Sequence, residues 1–497
     1  MLLDLLDGAL ADRAGALAVD DLTYTDLHAG ARRVARRLHE RGVRTGDRVA
    51  IYSENRLGFA FAYLAALRLG AIAVPMNVLY RANDLAHALS DARPAVIACS
   101  ASVVPFAEQA NSGNATVVDV ADVESWARTS EIRPYDSTER PQPDDVALIV
   151  YTSGTTGTAK GAMLSHGNLA AIASQVIAAW RWQACDTLLL ALPLFHVHGL
   201  IAGLTASLCA GGRVVLRERF DARDALERLG GGDVTMFFGV PTMYVRLLEA
   251  LAGRRPPPPL RLYVSGSAAL PAELHRAFAQ RFGASILERY GATEFGFALG
   301  NRYAGPRVPG SVGVPLPGVR VRVAAPHGAQ PLPAGEIGEL LVSGPNVFCG
   351  YWRRAAASRE AFVTGDDATR WYRSGDLAQY DAERGVYRIV GRIKEVIITG
   401  GFNVYPREVE DAVEALPGVR ACAVVGKPDP ARGEMPVAFI ETSEALDADS
   451  IAAALRECLA SFKVPKEIRF VENLPRNAMG KVDKPALRAS LDPTRIR

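Results

Sequence analysis

Residues 147–180 read ALIVYTSGTTGTAKGAMLSHGNLAAIASQVIAAW. A short apolar run, Ala147 to Tyr151, leads into ten positions (151–160) that hold two glycines, five aliphatic hydroxyls and one lysine. An apolar pattern at helical spacing follows, with Ser165 placed to cap it. Glycine lets backbone N–H groups close around a phosphate, small hydroxyls add donors, and a lysine adds charge. The spacing is not that of a P-loop, which has four residues between its glycines and a hydroxyl after its lysine. Here two residues separate Gly154 from Gly157, and Gly161 follows Lys160. The stretch predicts a strand, a phosphate-holding loop of another kind, and a helix. A plain surface turn needs glycine but has no use for five hydroxyls beside a lysine.

The flanking sequence extends that alternation. TYTDLHAGARRVARRLHERG (23–42) spaces Leu27, Ala31, Val34, Ala35 and Leu38 as a helix, with Thr25 as the expected N-cap and Gly42 as the stop. DRVAIYS and AIAVPMN read as strands on either side of a helix around Phe59–Leu69. Alternating strands and helices predict an α/β fold with mostly parallel sheets. Past Gly391 the pattern becomes helix, two strands, helix, strand, which predicts a compact α+β unit.

Bulk properties narrow the function classes. The chain has 497 residues, enough for roughly three domains. Its 56 basic and 54 acidic residues leave a net charge of +2, with no electrostatic footprint for nucleic acid or a membrane surface. Its six cysteines, Cys99, Cys185, Cys209, Cys349, Cys422 and Cys458, form no C-x-x-C pair, which predicts neither a zinc site nor a disulfide framework. The apolar stretch Leu57–Leu67 is ended by Arg68 and is too short to span a bilayer. Asp4 and Asp7 stand where a signal peptide is basic, so a cytoplasmic location is expected.

Further short motifs are weak alone. SGSAALP (265–271) and ERYGATE (288–294) are small-residue turns. YRSGDLA (372–378) offers one carboxylate in a tight turn, suited to a ribose diol. GRIKEVIITGGFNVYPREVE (391–410) and PRNAMGKVDK (475–484) complete the series.

In this order and at these separations, the set resembles the adenylate-forming superfamily of acyl- and aryl-CoA synthetases, luciferases and adenylation domains. The resemblance spans nearly the whole chain, with at least six motifs in register. It implies a large N-terminal domain, residues 1–391, of layered α/β subdomains with mostly parallel sheets and a small β-barrel-like part. A small mobile α+β domain, residues 392–497, would follow. It implies ATP, Mg²⁺ and coenzyme A as reactants, and an acyl-adenylate formed before the acyl-CoA.

Carried over by motif position, Thr152, Ser153, Gly154, Thr155, Thr156, Gly157 and Lys160 would hold the triphosphate. Gly266, Ser267, Ala268, Ala269, Tyr290 and Gly291 would frame adenine, and Asp376 and Arg392 would bind ribose. Thr293 would contact the α-phosphate, and Glu294, with Thr155, would ligate Mg²⁺. Lys481 would bridge carboxylate and α-phosphate during adenylation. Lys394 would be the hinge, and Gly401 would line the CoA channel. The resemblance also makes Lys481 a candidate target of a protein acetyltransferase.

Three stretches are expected to line the acyl pocket: PLFHVHGLIAGL (193–204), FFGVPTMYVRLL (237–248) and LERYGATEFGF (287–297). They offer His196, Met243, Arg246, Ser265 and Arg289 as acyl-binding residues, with His196 also a catalytic candidate. If both guanidiniums point inward, they neutralise a second carboxylate on the substrate. The alternative pairs Arg246 with Glu249 on a helix surface and offsets Arg289 with Glu288. PTMYVR with ERYG resembles malonyl-CoA synthetases, while Phe295-Gly296-Phe297 departs from their pattern. A synthetase for medium-chain fatty or aryl acids, or an adenylation enzyme loading a carrier protein, stays open at this stage.

Overall fold

The computed structural model describes all residues except 112–114, 137–138, 153–158, 327, 431, 443–444, 477–480 and 492–497. Two mixed sheets with parallel centres form the large N-terminal part, as the strand and helix alternation predicts. In one, Ile72–Pro75, Arg48–Tyr52, Val96–Cys99 and Thr116–Asp119 run parallel, with Val146–Thr152 joining beside Ile72–Pro75. In the other, the parallel strands are Ile286–Tyr290, Leu262–Ser265, Met236–Gly239, Thr187–Leu190, Arg213–Leu216 and Leu17–Val19. Such strands are buried on both faces and read as continuous apolar runs; Thr187–Leu190 and Met236–Gly239 are buried at every position.

The apolar stretch that begins at Leu57 is the helix Leu57–Leu69, packed against the helices Tyr24–Glu40 and Val120–Arg128. Close approach there depends on glycine. A Cβ at Gly58 would stand 2.3 Å from the Val120 carbonyl oxygen, and one at Gly30 would stand 2.6 Å from Phe61. No helix among the described residues is long and apolar enough to cross a membrane.

A smaller antiparallel sheet follows, in which the strand Arg370–Asp381 pairs with Ile337–Ser343, Phe362–Thr364 and Val386–Arg392. The C-terminal α+β part is built on Ile397–Thr399, Phe402–Val404, Val419–Asp429, Gly433–Thr442 and Glu467–Val471, with helices Pro406–Glu414, Ala448–Cys458 and Lys484–Ala489.

Two local expectations are corrected. The cap of the helix Tyr24–Glu40 is Thr23, not Thr25: its hydroxyl accepts from the Asp26 N–H while the Asp26 carboxylate accepts from the Thr23 N–H. The glycine-rich loop also does not lead directly into a helix. Lys160–Ser165 forms a strand antiparallel to Val146–Thr152, with Thr152 opposite Lys160, before Ser165 caps the helix His166–Ala179. Gly161, Ala162 and Leu164 are buried in that pairing, and a Cβ on Gly161 would sit 2.7 Å from Ile149.

Candidate active site

The site gathers at the C-terminal ends of parallel strands, where open α/β sheets place their ligands. Thr152, Ser265 and Tyr290 each end such a strand. Among the expected triphosphate residues, Ser153, Gly154, Thr155, Thr156 and Gly157 lie outside the described residues. Thr152 and Lys160 flank that loop; the Thr152 hydroxyl donates to the Lys160 carbonyl at 3.3 Å.

The expected ribose residues come together. Asp376 and Arg392 face each other across paired strands, and Arg392 Nε lies 2.7 Å from Asp376 Oδ1. Tyr290 donates its hydroxyl to Asp376 Oδ2 at 2.5 Å. Asp376 is 4% exposed, so its charge is held by two directed donors rather than by water. Burial and the neighbouring carboxylate push the Tyr290 hydroxyl well above its ordinary range, which keeps it a donor.

Gly291, Thr293 and Glu294 share a tight turn in which a Cβ on Gly291 would stand 1.9 Å from the Gly296 carbonyl oxygen. Only glycine fits that approach. The Glu294 carboxylate accepts from the Tyr351 hydroxyl at 3.0 Å, and burial raises its pKa. Oxygen donors of this kind suit Mg²⁺, which binds through one or two carboxylates and the substrate's phosphates rather than through a full protein cage. No group of three or more His, Cys, Asp or Glu side chains that could hold a metal occurs among the described residues.

Lys481 faces this same space. Burial of its ammonium and the nearby Arg392 lower its pKa, while Asp376 and Glu294 act in the opposite direction. The residue as a whole is exposed. Its charge also depresses His196, which burial alone already drives down, to about 3.

Beside Lys481 lies a cluster of buried polar side chains. Arg289 is 4% exposed, donates Nη2 to Ser267 Oγ at 3.1 Å, and holds its guanidinium 4.6 Å over the Phe297 ring. Its Nε has no partner, and among the described residues no carboxylate pairs with it. Burial without a counter-charge brings Arg289 down to about 9. His198 Nε2, His196 Nε2 and Ser265 Oγ are likewise buried without partners. Ser267 holds φ +69, an uncommon conformation for a residue with a Cβ, and a Cβ on Gly266 would meet Arg289 Nε at 2.3 Å. The adjoining loop carries Ala268 half-buried and Ala269 exposed.

His198, within the stretch 193–204 expected to line the acyl pocket, opens a buried π-helix, His198–Thr205. Such segments are rare and concentrate at functional sites. It stacks 6.0 Å from Phe238 and lies 3.4 Å, through Nδ1, from Ser267 Oγ. Desolvation and the Arg289 charge keep His198 neutral. Phe297 closes the wall, edge-on to Trp180 at 6.1 Å. Phe295 turns instead toward Tyr290 and Tyr372.

Two expectations for the arginines are corrected. Arg246 does not face the pocket; it is exposed, with its guanidinium 5.2 Å over Phe220. The phase of the helix Pro241–Ala250 is set by buried Pro241, Tyr244 and Leu247, which leaves Val245 and Arg246 outward and Met243 half-buried. Glu288 does not offset Arg289. Neighbours on a strand point to opposite faces, and the Glu288 carboxyl accepts from the Leu270 N–H at 3.0 Å while burial raises it to about 8.

In the C-terminal part, Lys394 lies exposed in the short turn Ile393–Glu395 directly after the strand Val386–Arg392. Gly400 and Gly401 make the two-residue turn between Ile397–Thr399 and Phe402–Val404, both with positive φ, and Gly401 is exposed. Lys484 joins Glu410 at 2.7 Å and Glu395 at 3.3 Å, which ties the segment after Lys394 to the C-terminal helices.

The Tyr290–Asp376–Arg392 cluster, the acidic turn at Glu294 and the nearby Lys481 form the arrangement expected of a nucleotide-dependent acid-activating enzyme. Residues 9–352 match the AMP-binding enzyme family, and residues 408–481 match the AMP-binding enzyme C-terminal domain. The chain belongs to this adenylate-forming family and is an AMP-forming acid–thiol ligase that uses ATP, Mg²⁺ and coenzyme A. Its relatives differ in their acids. It is 36% identical to a feruloyl-CoA synthase of Amycolatopsis sp over 97% of this chain and 95% of that protein. It is 33% identical to the mitochondrial malonate–CoA ligase of Mus musculus, covering 95% of this chain and 87% of that one. The structure of ATP-bound MatB from Rhodopseudomonas palustris superposes with a TM-score of 0.88 at 38% identity, covering 99% of both chains.

Proposed function

We propose that the acid is malonate or a small substituted malonate, and that the enzyme converts it with ATP and coenzyme A into the malonyl-type thioester, AMP and pyrophosphate. The observation that carries this reading is Arg289, a buried guanidinium that meets no carboxylate among the described residues and is grouped with Ser267 and His198, next to the unpartnered Ser265 hydroxyl. A distal carboxylate would supply the missing charge and accept the spare donors. Resemblance to the malonate–CoA ligase and to MatB supports the same reading, and so does a sulfoacetate–CoA ligase of Cupriavidus necator, 36% identical over 95% of this chain, whose acid also ends in an anion. The aromatic wall of Phe238, Trp180 and Phe297 favours a second reading, an aryl acid.

In the proposed reaction, Thr152, Lys160 and the loop between them hold the β- and γ-phosphates, and Tyr290 with residues 266–269 frames adenine. Asp376 and Arg392 would take the ribose and Thr293 the α-phosphate, and Glu294 would hold the Mg²⁺, which would supply charge to screen the triphosphate. Attack of a carboxylate on the α-phosphate brings two anions together, and Lys481 supplies the positive charge at that point. His196, half-buried and held neutral, would line the path of the attacking carboxylate. ATP–pyrophosphate exchange with malonate, followed by addition of coenzyme A, tests the sequence. Exchange without a thioester product would contradict a CoA ligase and leave a carrier-loading enzyme.

One lysine cannot fill the adenylation site and also clear it for a thiol, so residues 392–497 are proposed to rotate about Lys394. The exposed Gly401 turn and its apolar neighbours Ile398 and Phe402, 55% and 56% exposed, would then move to the CoA channel. Lys394→Pro, which fixes φ at the pivot, is expected to spare adenylation and slow thioester formation by at least tenfold. Measuring the two half-reactions separately checks it; a variant that makes acyl-CoA at the wild-type rate places the pivot elsewhere.

A further inference from the structure

Tyr351 belongs to none of the sequence motifs, yet it touches two of them. It ends the short strand Gly350–Tyr351, which pairs with Lys160–Ser165 so that Tyr351 stands opposite Ala162. The backbone is fixed on both sides: the Tyr351 N–H donates to Ser358 Oγ at 2.8 Å, and the Trp352 N–H donates to the Gly161 carbonyl at 2.8 Å. The ring is held edge-on by Phe348, 4.9 Å away.

From that fixed position the side chain engages both charged partners of the nucleotide. Its hydroxyl donates to Glu294 Oε1 at 3.0 Å, and Lys160 Nζ lies 5.3 Å from its ring centroid. Phe348, three residues earlier, donates its N–H to the Glu294 carbonyl at 2.8 Å. One rigid segment thus holds the acidic turn by backbone and side chain, and borders the exit of the glycine-rich loop. A tyrosine that merely satisfied a buried carboxylate would have no reason to present its face to a lysine from another motif.

We propose that Tyr351 is a positioning residue that holds Glu294 by its hydroxyl and Lys160 by its ring face, setting the metal-binding carboxylate and the triphosphate-binding cation in place before nucleotide arrives. The proposal rests on the reading of Glu294 as the Mg²⁺ ligand and of Lys160 as the triphosphate cation. Oriented carboxylates bind metal better than free ones, and loss of such an outer partner lowers metal affinity about 10–100-fold. The ring contribution to Lys160 is smaller, worth about twofold to fivefold in binding.

The test is calorimetric, with a non-hydrolysable ATP analogue and Mg²⁺ titrated into the full chain. Tyr351→Phe removes only the hydroxyl, and is expected to weaken Mg²⁺ binding to the analogue complex about 10–100-fold while leaving metal-free analogue binding within about twofold. Tyr351→Leu also removes the ring, and is expected to weaken metal-free analogue binding about twofold to fivefold more. Glu294→Gln separates the proposal from the reading beneath it. If Glu294→Gln leaves Mg²⁺ affinity unchanged, the metal assignment itself fails. If Glu294→Gln weakens Mg²⁺ binding and Tyr351→Phe does not, the role of Tyr351 fails alone. The double variant Tyr351→Phe/Glu294→Gln is expected to match Glu294→Gln; additive losses would mean that Tyr351 acts by some other route.

Discussion

Replacing Lys481 with alanine is expected to lower adenylate formation by about 10²–10³-fold, the effect of removing one preorganised charge from a developing anionic centre. The side chain faces Glu294, Asp376 and Arg392, with His196 close enough to feel its charge. In the thioester step the attacking group is a thiol and the adenylate is already formed, so Lys481 has no charge to stabilise there. Thioester formation from preformed acyl-adenylate is therefore expected to stay within about threefold of wild type. The contrast between half-reactions is the point of the measurement. A variant that loses both equally would show that Lys481 serves the fold or the domain contact rather than the first transition state.

Replacing Arg289 with methionine is expected to invert the acid preference. Methionine fills comparable space beside Phe297 and leaves Gly266 room, so the wall persists while its charge is lost. With malonate, the variant buries the distal carboxylate without a partner, at a cost of several kcal/mol, or roughly two to four decades in kcat/KM. With butyrate, the wild-type enzyme suffers the mirror-image penalty of an unpaired guanidinium, and the variant relieves it. Malonate kcat/KM should fall by about 10²–10⁴ while butyrate kcat/KM rises. Arg246→Ala is the internal control. Exposed and over Phe220, it is expected to change either acid by no more than about twofold. Because the ATP residues are untouched, the KM for ATP should hold in both variants; equal losses for malonate and butyrate would make Arg289 a packing residue.

The residues proposed to hold the nucleotide were legible in the sequence because a nucleotide would impose local rules. A tight turn needs Gly291, and a ribose needs a carboxylate such as Asp376 held by close donors, and both requirements leave short motifs. The acyl pocket was legible only in part, since its geometry depends on the phase of distant elements. Arg246 and Arg289 look equivalent as letters, yet the buried faces of the helix Pro241–Ala250 and of the strand Ile286–Tyr290 send them to different environments. Glu288 and Arg289 are adjacent, and strand alternation separates them. The strand Lys160–Ser165 was hidden because seven residues, 153–159, separate it from its partner strand and its own run is short. Tyr351 left no signal at all: its partner Glu294 is 57 residues away, and a tyrosine after a glycine has no pattern of its own. His198 had a signal, the pair of histidines in PLFHVHGL, but nothing in that string says which ring meets Arg289.

The most direct test of the central claim is a competition in one vessel. Wild-type enzyme with ATP, Mg²⁺ and coenzyme A is given equal concentrations of malonate, butyrate and ferulate, all below their KM values, and the CoA thioesters are counted by mass. If Arg289 is the receptor of a distal carboxylate, malonyl-CoA should exceed butyryl-CoA by at least about a hundredfold, with feruloyl-CoA also a minor product. A majority of butyryl-CoA or feruloyl-CoA would contradict the account, and would make the aromatic wall around Phe297 the feature that selects the acid.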